Sequence, residues 1–101
     1  MRTYAIRRRN VWQSTQELEA AASRSARVGN DEMPDRVRWI RSYVVGEDDG
    51  TLGSVCIYQA VSPDAIRDHA HRVGISADEI VPVERTVVVR EDPAEDAEVV
   101  A

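Results

Sequence analysis

At 101 residues the chain is one domain, long enough to bury a single core and too short for a second. Its net charge of −5 and pI near 5.0 argue against a nucleic-acid partner, although all 13 basic residues are arginine, the side chain that forks onto phosphate. The lone cysteine, Cys56, excludes an internal disulfide, the N-terminus has no signal-like apolar stretch, and no run approaches the roughly 20 apolar residues of a membrane span, so the expectation is a soluble, cytoplasmic protein.

The first element is a short strand over residues 3–8, where Tyr4 and Ile6 alternate with polar neighbours before three consecutive arginines, Arg7, Arg8 and Arg9. Ser14 and Glu17 have capping-box spacing and start a helix. Its Leu18, Ala21, Ala22, Ser25 and Val28 recur at helical spacing, and Gly29 with Asn30 is read as a left-handed stop. This stripe is mostly Ala and Ser, which lets the helix lie close to a sheet.

A hairpin follows, with strands over residues 37–45 and 52–60 and an acidic turn from Gly46 to Gly50. That turn lacks the alternating ligands and terminal Glu of a calcium loop and reads as solvated. In the first hairpin strand Val37, Trp39, Tyr43 and Val45 share one parity, interrupted by Arg41; in the second, Cys56, Tyr58 and Ala60 do. Ser62 and Pro63 open a second helix with Ile66, His69, Ala70 and Val73 on one face, and Gly74 ends it. A last strand is expected over residues 80–90, and an acidic, disordered tail over residues 92–101. The domain is therefore residues 1–91.

The order β-α-β-β-α-β predicts an α+β, ferredoxin-like fold: a four-stranded antiparallel sheet with two helices on one face. The other face is left bare and partly apolar. Pairing two such faces covers it, which predicts a homodimer of the dimeric α/β barrel type.

Several short motifs resemble a known bacterial family. They are Trp39, Ser42, Tyr43 and Val44; Cys56 and Tyr58; Ser62, Pro63 and Asp64 with Ile66, Arg67, His69 and Ala70; then Gly74 and Val83. Over residues 35–89 the chain resembles the nickel-binding, ferredoxin-like family catalogued as domain of unknown function 4242. The resemblance implies a ferredoxin-like homodimer that binds nickel. The segment over residues 7–12 and the long hairpin turn depart from the family pattern.

His69 shares its face with Ile66, Ala70 and Val73, so it is either a core histidine or a metal ligand. His71 points about 200° away on the same helix and cannot chelate one ion together with His69; it is a surface residue or a peripheral ligand. Cys56 is a core hydrophobe, or, if it meets His69, the soft half of a nickel, zinc or copper site. Trp39, Arg41, Tyr43 and Tyr58 are the candidate cavity residues, with Arg41 able to receive a carboxylate. No nucleophile and base pairing, phosphate-binding loop or spaced cysteine cluster is present. The leading expectation is a non-enzymatic nickel-binding protein, with other divalent transition metals as alternatives and its own second copy as partner. The runner-up is a dimeric ferredoxin-like barrel enzyme, a monooxygenase or isomerase acting on a small aromatic substrate, with His69 as base and Tyr58 as donor.

Overall fold

The computed structural model describes residues 1–92, so the acidic tail expected over residues 92–101 lies, but for Asp92, outside the described residues. The elements run β1 (Arg2–Trp12), α1 (Thr15–Arg27), β2 (Val37–Gly46), β3 (Leu52–Ala60), α2 (Pro63–Val73) and β4 (Glu79–Pro82). The strands form one antiparallel sheet in the order β2-β3-β1-β4 with both helices on one face, the expected ferredoxin-like arrangement. Among the described residues no helix is long and apolar enough to cross a membrane.

Local chemistry sets the helix ends. Ser14 accepts the Glu17 amide at 3.2 Å, and the Glu17 carboxylate reaches back to the Gln13 amide at the same distance. Ser62 accepts the Ala65 amide, Pro63 occupies the first helical position, and Gly74 at φ 86° stops α2 with its amide on the Ala70 carbonyl. Gly29 is not a left-handed stop: α1 widens into a π-helical turn over Val28–Glu32, and Gly29 keeps a negative φ. The turn buries Val28 and is followed by buried Met33 and Val37.

Strand alternation makes the core. Tyr4 and Ile6 of β1, Cys56, Tyr58 and Ala60 of β3, and Ala65, Ile66 and Val73 of α2 are buried together on the helix side. Two strands depart from expectation. β1 runs to Trp12, with an irregularity between Arg8 and Trp12 where Asn10 takes φ 55°. β4 is four residues long instead of eleven. Tyr4 lies opposite Pro82, the Val83 amide still reaches the Thr3 carbonyl, and Arg2 meets Glu84 only through their side chains at 3.6 Å.

The acidic hairpin turn is tied down. Glu47 accepts from Arg7 at 2.9 Å and from the Asn10 amide at 2.9 Å, and Asp49 accepts from Thr51 and Asn10. These bonds hold the far end of the hairpin against β1.

Candidate functional site

β1 carries Tyr4, Ile6 and Arg8 on the parity that faces the helices, so the third inward position of the strand is an arginine. Arg8 is only 2 % exposed. Its Nε donates to the Ser76 carbonyl at 2.6 Å and its Nη1 to the Cys56 sulfur at 3.3 Å, while the Cys56 thiol donates to Ser54 Oγ at 3.3 Å. Its Nη2 is buried with no acceptor among the described residues. The group sits in the wall of a cavity of about 530 Å³ between α1 and the sheet, lined also by Trp12, Leu18, Ala21, Trp39 and Tyr58.

Tyr58 forms the floor. Trp39 stacks on it with ring centres 6.2 Å apart, and the Trp39 indole donates to Ser42 Oγ at 2.7 Å. Burial pushes the Tyr58 phenol up to about 12, against the opposing pull of the Arg8 charge, so it stays protonated near neutrality.

His69 lies beyond Tyr58, edge-on to its ring with centres 5.5 Å apart. Its Nε2 meets the Ser25 carbonyl at 3.0 Å, which makes this nitrogen the protonated one in the neutral ring. Nδ1 is buried without a hydrogen-bond partner among the described residues. Burial holds His69 below its ordinary value and outweighs the Ser25 contact, which raises it.

The expected site residues divide between places. Trp39 and Tyr58 line the helix-side cavity. Arg41 also borders this cavity, but its guanidinium and the Tyr43 phenol are turned to the helix-free face: a bulge in β2 between Trp39 and Arg41 shifts the register, so Arg41 and Tyr43 pair with Ile57 and Val55. There both donate to the Asp92 carboxylate, at 2.9 and 2.8 Å. His71 is exposed, beside Arg67, Ser76 and Asp78. Among the described residues no three of His, Cys, Asp or Glu gather as metal ligands. Arg8 was not anticipated, although its parity with Tyr4 and Ile6 is visible in the sequence.

The family described as nickel responsive protein SCO4226-like matches residues 4–83. The chain belongs to that family. A solved structure with the same architecture is the crystal structure of SCO4226 from Streptomyces coelicolor A3(2), with a TM-score of 0.67 and 21 % sequence identity over 84 % of this chain and 99 % of that one. At that identity the likeness shows the fold, and the SCO4226-like fold is the β-α-β-β-α-β sheet described above. No curated protein matches the chain.

Proposed function

We propose that the protein is a small non-enzymatic nickel-binding protein, acting as a homodimer in the cytoplasm, in which His69 supplies a nitrogen ligand. The observation that carries this reading is the state of the His69 ring. A metal-ligating histidine usually donates its second ring N–H to a carbonyl or carboxylate, which fixes the tautomer and presents the other lone pair. In His69 the Ser25 carbonyl takes Nε2, burial favours the neutral ring, and Nδ1 is left without a partner among the described residues. The nickel-responsive description of the family agrees with that chemistry.

The fit is partial. Cys56 does not suit a dication, because a guanidinium already lies 3.3 Å from its sulfur and a second positive charge there would be repelled. His71 lies on the exposed side of α2 and serves at most a peripheral ion. One imidazole is too few for a tight site, so the remaining ligands are waters, and affinity is weak to moderate.

The enzyme alternative has less support. The description of the matching family names a response to nickel and no reaction, which favours the metal over a reaction with His69 as base and Tyr58 as donor.

Calorimetric titration with nickel chloride at neutral pH tests the proposal on the wild type, His69→Asn and His71→Ala, each first checked for an intact thermal transition. The expected result is a large loss of affinity for His69→Asn and a small one for His71→Ala. No binding to the wild type, or equal affinities for the wild type and His69→Asn, overturns it.

A further inference from the structure

The helix-side cavity holds a buried cation that meets no counter-ion among the described residues. A guanidinium does not lose its proton in proteins, so the Arg8 charge persists inside the domain. Its sequence neighbours are both paired: Arg7 with Glu47 and Arg9 with Glu79, each at 2.9 Å. Arg8, far more deeply buried than either, meets no carboxylate within ion-pair distance among the described residues. It has a carbonyl on Nε, a thiol on Nη1 and nothing on Nη2. Buried charges are normally paired, and one left half-satisfied is destabilising.

The geometry points to a binding site in this cavity for a small organic carboxylate, with its charge on Arg8 and its apolar body against Trp12, Trp39 and Tyr58. Three features select that class. The space of about 530 Å³ lies within the range of roughly 300–1,000 Å³ typical of small-molecule sites. The walls are mainly aromatic and aliphatic, which suits a flat or compact hydrocarbon body over a bare inorganic anion. The charged lining is buried Arg8 with exposed Glu19 and Arg41, a net of one positive charge, which matches a monoanion better than a phosphate dianion. Ser42 and Ser54 add hydroxyls: each accepts a bond, from the Trp39 indole and the Cys56 thiol, which leaves its own O–H to donate to a second carboxylate oxygen. Arg41, the arginine that the sequence suggested for a carboxylate, turns its guanidinium to the other face and bonds Asp92.

This site is separate from the His69 nitrogen, and its test needs no metal. Both tryptophans of the chain, Trp12 and Trp39, line the cavity, so intrinsic fluorescence reports occupancy. The probes are 3-phenylpropanoate and its neutral amide, 3-phenylpropanamide, titrated in metal-free buffer at constant ionic strength. The acid gives a saturable change, and the amide binds at least about tenfold more weakly, as loss of a charge-assisted hydrogen bond implies. Arg8→Met, similar in length and uncharged, removes the preference for the acid; Arg9→Gln, which alters an exposed and paired arginine, keeps it. Ala22→Phe fills the cavity from α1 with Arg8 intact and abolishes binding of both probes while the thermal transition remains, which keeps the test open if Arg8→Met fails to fold. Equal binding of acid and amide, undiminished acid binding in either cavity variant, or no saturable response to the acid up to millimolar concentration overturns the proposal.

Discussion

The Arg8 guanidinium donates to the Cys56 sulfur across 3.3 Å, in the place where the sequence invites a metal. The sulfur is therefore already an acceptor for a permanent cation, and its thiol proton is directed to Ser54. A hydroxyl can play both parts. Cys56→Ser is expected to fold, to cost about 1 kcal/mol through lost apolar burial in the core cluster, and to leave nickel affinity unchanged. Urea denaturation and calorimetry check the two halves; a marked loss of nickel affinity would return Cys56 to the ligand set.

Gly53 carries the next prediction. A Cβ at this position would overlap the Glu47 carboxylate and the Arg8 carbonyl oxygen, with the Arg7 guanidinium 2.9 Å away. Backbone of β1 cannot step aside cheaply, and the Glu47 carboxylate is held by Arg7 and the Asn10 amide. Gly53→Ala should therefore destabilise by about 1–3 kcal/mol, the usual range for overpacking, whereas Gly46→Ala, with open space around it, should not. Urea midpoints of the two variants decide it.

Acid should weaken the fold in two stages. His69 is held below its ordinary 6.5, chiefly by burial, so folding favours the neutral ring. Its contribution is complete above that value and is lost as pH falls below it towards the lowered folded value. Asp68 is held below its ordinary 3.8 by Arg36 and Arg72, and Glu47 below 4.5 by Arg7 and Asn10. Their contributions are present above those ordinary values and disappear as pH falls through the lower folded ones. Urea midpoints measured between about pH 7.5 and 5 should fall for the wild type and for His71→Gln, and stay flat for His69→Asn. An unchanged slope in His69→Asn would mean that another group supplies it.

How far the sequence could be read depended on how local the signal was. The order of elements, the Ser14 and Ser62 caps and the Gly74 stop rest on residues within one helical turn, and each was legible. The face assignment in β2 was not, because the bulge at Ile40 arises in pairing with β3, and it separates Trp39 from Tyr43 despite their shared parity. The length of β4 was not legible either, because its pairing with β1 covers only Tyr4 to Arg7. Arg8 was hidden differently: it is the middle one of three consecutive arginines at the end of the expected strand, and strand alternation aims it alone inward. His69 was correctly placed against the sheet, while its partner, the Ser25 carbonyl, is backbone and leaves no mark in the side-chain pattern.

The segment after β4 yields the last prediction. From the β4 edge of the sheet, residues 83–92 reach β2 at the opposite edge, where Asp92 meets Arg41 and Tyr43, so the chain passes across the helix-free face. A cleft lined by Ile40, Tyr43, Ile57 and Val87 remains between them, and Val87, Val88 and Val89 are 73, 65 and 85 % exposed. Three consecutive valines with strong strand preference that pair with no strand among the described residues are poorly placed in water. A second copy supplies both an apolar face and a pairing edge, which is the proposed homodimer. Light scattering at micromolar concentration should give a dimer for the wild type and a monomer for Val87→Asp combined with Val89→Asp, with little change in helix signal. Removal of residues 93–101 should leave the dimer intact. A monomeric wild type, or a double variant that still dimerises, would rule out this face as the interface.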